Sequence, residues 1–224
     1  MLPSAYNLGV ALNFDRAERK IFQEIGYQSA IFLEDDLLLS PSYFRIMEEL
    51  LEIAAERPDI GMVSALGYKN RMPLCEQQRR AREIRLMDEH NWGFGMHREA
   101  WCARNRVLQP YLKLMASVDY RDRDTGEMKF KLAALQKSFS RHGRGYLTSQ
   151  DSMKNLAFEL LGRHRITTFT NNARYIGEVG LHSNEGKFAA GGYHETIVYN
   201  GEHDGFEFPS PQALRWMRLS LQHR

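Results

Sequence analysis

The chain has 224 residues, 43% hydrophobic and 26% charged, with a net charge of +2. This is enough apolar content for one well-buried core, read as a single domain over residues 1–224. The charge is too mild for a nucleic-acid binder, and no apolar run is long enough to span a bilayer. The first residues do not read as a secretory signal, and Cys75 and Cys102 sit in no metal-binding spacing. Two such thiols fit a reduced, cytoplasmic protein.

Phe14, Ala17, Ile21 and Phe22 recur at helical spacing ahead of Gly26, which predicts an amphipathic helix over residues 14–24. The apolar run Ala30-Ile31-Phe32-Leu33 then stops at three consecutive carboxylates, Glu34, Asp35 and Asp36. That pattern reads as a buried strand with an acidic cluster at its C-terminal end, the place where open α/β sheets bind ligands. Crowded carboxylates raise one another's pKa, so the cluster must be solvated, paired with cations, or bound to a hard divalent ion such as Mn²⁺ or Mg²⁺. The plainer alternative is a solvated turn capping the next helix, but Ser40 with Pro41 already supplies a cap there.

Tyr43, Ile46, Met47, Leu50, Leu51 and Ala54 mark one face of a helix ending near Pro58. Ile60–Leu66 reads as a buried strand, central and parallel to the first. Residues 69–90 read as a surface excursion with a short helix, in which Arg79, Arg80 and Arg82 are either a solvated face or a phosphate contact. Asn91–Trp101 interleaves glycines with aromatics, a composition suited to holding a sugar ring and equally to core packing by Trp92, Phe94 and Trp101.

The helical pattern of residues 104–139 breaks at a polar turn over 119–126 that lacks calcium-loop spacing. Residues 140–145 have the composition of a mobile loop. A further helix opens near Thr148, with Asp151 in its first turn, where the macrodipole favours a carboxylate. A catalytic base is the alternative reading of Asp151. Arg165–Phe169 is strand-like, and His182, near the end of the next stretch, is either structural or a metal ligand. Residues 184–224 read as a flexible flap, with a hint of a strand at Tyr193, Ile197, Val198 and Tyr199, followed by a C-terminal helix.

The stretch Leu33-Glu34-Asp35-Asp36-Leu37, with Ser40-Pro41 and Tyr43-Phe44 behind it, resembles the Asp-x-Asp signature of GT-A-type nucleotide-sugar glycosyltransferases. The form is the Glu-Asp-Asp variant of N-acetylglucosaminyltransferase I and a group of bacterial sugar transferases. Two further stretches match in the family's order: Trp92, Gly93, Arg98 and Trp101, and then Asn171 through His182-Ser183. The resemblance implies that Asp36 ligates the metal holding the donor's diphosphate, that Asp35 reaches the ribose, and that Glu34 supports them. It also implies His182 as a metal or diphosphate contact, Trp92, Gly93, Phe94 and Arg98 as borders of the sugar site, and Asp151 as the base.

On that resemblance the fold is expected to be GT-A-like: a mixed, mostly parallel sheet flanked by helices. Only the helix of residues 14–24 precedes the acidic strand, so two expectations stand: either the chain is a fragment, or the usual N-terminal nucleotide-binding strands are missing or rebuilt. The implied activity is Mn²⁺- or Mg²⁺-dependent transfer of a sugar, with inversion, from a nucleotide-diphosphate donor of the UDP-sugar type to a glycan or other hydroxyl acceptor. Two rival readings are a non-catalytic carbohydrate-binding or assembly subunit on the same scaffold, and a metal-dependent phosphohydrolase.

Overall fold

A computed structural model describes residues 4–5, 7–68, 70–87, 91–123, 125–139, 150–179 and 184–222. Helix α1 (Gly9–Arg19) continues into a π-helical stretch at Lys20–Ile25, which ends where Gly26 takes φ 90°. Strands β1 (Ser29–Leu33) and β2 (Leu37–Leu39) flank the three carboxylates. Next come α2 (Tyr43–Ala55), β3 (Ile60–Ser64), α3 (Leu74–Arg79), β4 (Ile84–Leu86) and β5 (Gly93–His97). Helix α4 (Arg98–Ala116) follows without a gap, then α5 (Gly126–Phe139) and α6 (Gln150–Leu160). The chain closes with β6 (His164–Thr168), β7 (Ala173–Tyr175), α7 (Glu185–Gly191) and α8 (Pro211–Gln222).

These elements gather into two compact units, residues 1–30 with 98–163, and residues 31–97 with 164–224. The second is an α/β unit with strand order β1-β5-β3-β6-β4, plus a two-stranded ribbon of β2 and β7. Strand β3 is central, as its sequence predicts, but its neighbours are β5 and β6. It runs antiparallel to β5 and parallel to β6, and β4 runs antiparallel to β6.

The expectation of a mostly parallel sheet is corrected: β3–β6 is the parallel pair, and the sheet is otherwise mostly antiparallel. Full burial of Ile60–Ser64 imitates the continuous apolar run of a parallel strand. The excursion after β3 conceals β4, three residues that alternate buried, half-buried, buried around Arg85. Strands β4 and β5 therefore both run opposite to β3.

The core of this unit forms where α2 lays Tyr43, Ile46, Met47, Leu50, Leu51 and Ala54 against the sheet. These are the residues its helical spacing selects. The helix begins at Tyr43, later than Ser40-Pro41 predicts, because Leu37–Leu39 is spent on β2; the Ser40 carbonyl accepts from the Tyr43 N–H at 3.1 Å. Leu214 of α8 is fully buried in the same core.

The first unit is helical. Ala11 of α1, Leu108 and Met115 of α4, Leu132 of α5, and Met153 and Ala157 of α6 share one apolar cluster. Within this unit Glu18 is 1% exposed and binds two buried cations, Arg104 and, at 3.0 Å, Lys154. The polar turn between α4 and α5 is present as a 3-10 turn, Tyr120–Asp122, with the Asp119 side chain accepting from the Arg121 N–H. Among the described residues no helix is long and apolar enough to cross a membrane.

Candidate functional site

The acidic turn is held from both sides. Ahead of it, the Glu34 N–H donates to the Trp92 carbonyl at 2.9 Å, extending the contact of β1 with its neighbour β5. Behind it, Leu37, Leu38 and Leu39 pair antiparallel with Tyr175, Arg174 and Ala173. The Ile176 N–H caps that ladder on the Asp36 carbonyl at 2.9 Å. A turn clamped in this way has a fixed backbone, which sets the points from which its three side chains project.

Asp36 is the most constrained of the three. The Tyr175 hydroxyl hydrogen-bonds its carboxylate, while its Oδ1 atom is buried and has no hydrogen-bond partner. Burial, seconded by the Asp35 charge, raises its pKa above the ordinary carboxylate value despite the opposing effect of its backbone and Tyr175 hydrogen bonds. Asp35 is exposed and Glu34 half-buried.

Gly177 makes room for this pair. A Cβ there would stand 2.3 Å from Tyr175 Oη and 2.6 Å from Asp36 Oδ2.

The Tyr175 ring leads from the carboxylate to an aromatic cluster. It stacks on Trp92 with centroids 4.1 Å apart, and Tyr193 meets both rings edge-on at 5.2 Å. Phe188 lies 5.7 Å from Tyr193 and 6.0 Å from Tyr175. Trp92, Tyr175, Phe188 and Tyr193 are all half-buried, so each keeps part of its surface in solvent. Flat, partly exposed rings beside polar groups are what sugar and nucleotide sites use for orientation.

The remaining residues of the aromatic-glycine stretch lie elsewhere. Phe94 is fully buried and stacks on Phe32 at 5.2 Å, a core role in place of the expected sugar contact. Gly93 is also interior: a Cβ there would come within 2.6 Å of Tyr43 Oη, so its bareness serves the packing of α2 on the sheet. Trp101 stacks on Phe22 at 5.4 Å inside the helical unit. Arg98 opens α4, with its N–H on the Gln28 carbonyl at 2.8 Å, and belongs to the helical unit.

Asp151 also belongs to the helical unit. It sits in the first turn of α6, where its Oδ1 accepts from the Gln150 side chain at 2.6 Å. His182 and the loop of residues 140–145 lie outside the described residues. The Arg79, Arg80 and Arg82 run is taken up in ion pairs with Glu76, Glu83 and Glu207, and Arg80 also covers the Phe169 ring.

From the sequence, Tyr175, Gly177, Phe188 and Tyr193 receive no site role of their own. The signal for the first two was present in Tyr175-Ile176-Gly177, but a hydroxyl bridging to Asp36 requires the β2–β7 pairing, which a three-residue leucine run does not announce. The tail forms α7 and a 3-10 turn at Tyr193–Glu195 that seats Tyr193 on the cluster, and no strand forms over residues 197–199.

Among the described residues no three His, Cys, Asp or Glu side chains gather as a metal cage. Asp36 fits a different coordination pattern, in which one carboxylate and the substrate's phosphates share a hard cation that keeps several waters. Its Oδ1 is the buried carboxylate oxygen that lacks a hydrogen-bond partner. Neither a scan against protein-family models nor a search of curated proteins found a match for this chain.

Proposed function

We propose that the chain is a metal-dependent glycosyltransferase of GT-A type, moving a sugar with inversion from a nucleotide-diphosphate donor to a hydroxyl acceptor. The observation that carries this reading is the joining, through Tyr175, of a carboxylate with an uncommitted oxygen to a set of half-buried rings. In this reading Asp36 holds Mn²⁺ or Mg²⁺, which when bound supplies positive charge to the donor's diphosphate. Asp35, exposed next to it, reaches the ribose, and Glu34 supports the turn whose N–H is pinned to Trp92. Trp92 and Tyr193 offer faces to the sugar ring. Asp151 takes the proton from the acceptor hydroxyl, a role that rests on the family resemblance.

A screen of nucleotide sugars by thermal unfolding, with and without Mn²⁺, tests the proposal, because a ligand that binds only the native state raises the melting temperature. A rise that requires both metal and a nucleotide sugar is expected. No rise with any donor contradicts it.

A second reading, a non-catalytic carbohydrate-binding subunit, is favoured by one observation: the Asp151 carboxylate is already engaged by the Gln150 side chain at the start of α6. Release of UDP in the presence of an acceptor decides for transfer. Sugar binding without UDP release decides for the subunit.

A further inference from the structure

The helical unit holds a polar cavity that the transferase reading leaves unused. Asp15, Glu18, Asn105, Tyr111, Gln150 and Lys154 contribute its polar wall, drawn from α1, α4 and α6. The space between them admits about one water-sized occupant.

Three of the lining residues each carry a buried oxygen without a hydrogen-bond partner: Asp15 Oδ1, Asn105 Oδ1 and Gln150 Oε1. Asn105 and Gln150 are only 6% and 8% exposed. The Gln150 amide cannot be turned over, because its Nε2 donates to Asp151 Oδ1 at 2.6 Å and the flipped group would set two oxygens against each other. Asp15 spends its other oxygen on Arg19 at 2.8 Å. A buried acceptor left unpaired forfeits its hydration with nothing in return, and three around one cavity indicate an occupant.

Asp15 Oδ1 and the pinned Gln150 Oε1 can only accept, and Asn105 Oδ1 accepts in the orientation seen, so the occupant must donate. Water brings two O–H groups, and an ammonium ion brings enough N–H groups for all three. The wall's two carboxylates are already matched by cations, Asp15 by Arg19 and Glu18 by Arg104 and Lys154, so charge does not choose between water and ammonium. We infer that the cavity between α1, α4 and α6 binds a single water-sized hydrogen-bond donor, water or ammonium, through Asp15, Asn105 and Gln150. Such a donor ties the three helices together at their polar seam.

The experiment is thermal unfolding of the wild type and of Asn105→Leu, each in ammonium chloride and in sodium chloride at equal concentration, alongside a high-resolution crystal structure of the wild-type chain. If the site is filled, Asn105→Leu melts lower than wild type, and density appears within hydrogen-bond distance of the three oxygens. A higher wild-type melting temperature in ammonium, lost in the variant, identifies ammonium. Equal melting in the two salts with density present identifies water. A dry cavity, together with a variant that melts higher because an orphaned acceptor has been removed, overturns the inference. Should the variant fail to fold, the wild-type density alone decides.

Discussion

Tyr175 serves Asp36 and Trp92 at once: its hydroxyl hydrogen-bonds the carboxylate while its ring stacks on the indole at 4.1 Å. Strand β7 makes this possible, because pairing Tyr175 opposite Leu37 sets its side chain next to the end of the acidic turn. Replacing Tyr175 with Phe keeps the ring and removes the hydroxyl. Since that hydrogen bond lowers the Asp36 pKa, the variant should carry a higher one. The pH midpoint of Mn²⁺-dependent nucleotide binding should then move upward, with the stacking unchanged. A midpoint identical to wild type would detach Tyr175 from the metal-binding carboxylate.

Gly177→Ala tests the same arrangement by crowding. The added Cβ would collide with both Tyr175 Oη and Asp36 Oδ2, so the pair must separate. Nucleotide binding should weaken. Wild-type affinity in Gly177→Ala would show that the pair's geometry is irrelevant to the ligand.

Asp151→Asn separates catalysis from capping. Loss of a positioned general base lowers turnover by about 10²–10⁴-fold, while donor affinity, which Asp151 does not supply, stays within error. If Asp151 acts only as a first-turn acid, the variant instead loses about 0.3–1 kcal/mol of stability and keeps its turnover.

Glu18 offers a prediction about stability alone. Burial by itself would raise its pKa, yet the Arg104 and Lys154 cations hold it below the ordinary value near 4.5. A depressed folded-state pKa stabilises the fold above the unfolded value, and that contribution disappears as pH falls through the folded value. Acid unfolding of the wild type should therefore include the Glu18 titration, beginning below about pH 4.5. Glu18→Ala should cost about 3–5 kcal/mol at neutral pH, because it strands two buried cations, and should flatten the stability profile in acid.

Much of this architecture is legible in the chain. The apolar spacing of α2 and the stop at Gly26 are local patterns that form as predicted; the strand that ends in carboxylates also forms, but at the sheet edge with Phe32 as its buried residue, not as the buried strand its apolar run predicts. What the sequence conceals depends on long-range pairing. Leu37–Leu39 needs β7 to become a strand, and Ile84–Leu86 needs β6; neither is long enough to declare itself alone. The aromatic stretch divides for the same reason, since Trp92 faces Tyr175 and Phe94 faces Phe32 from two residues apart. Residues two apart in a strand share a face, but Trp92 lies ahead of β5, outside its alternation, and so can meet Tyr175 while Phe94 is buried.

The central claim is that Asp36 grips a divalent ion that in turn grips pyrophosphate. Calorimetric titration of UDP into the wild-type chain and into Asp36→Asn, with and without Mn²⁺, tests it most directly. Binding that appears only in the wild type with Mn²⁺ is predicted, and the variant should remain folded and melt no lower, because it removes a half-buried charge whose pKa the fold raises. UDP binding that is indifferent to Mn²⁺, or equal in Asp36→Asn, would contradict the claim.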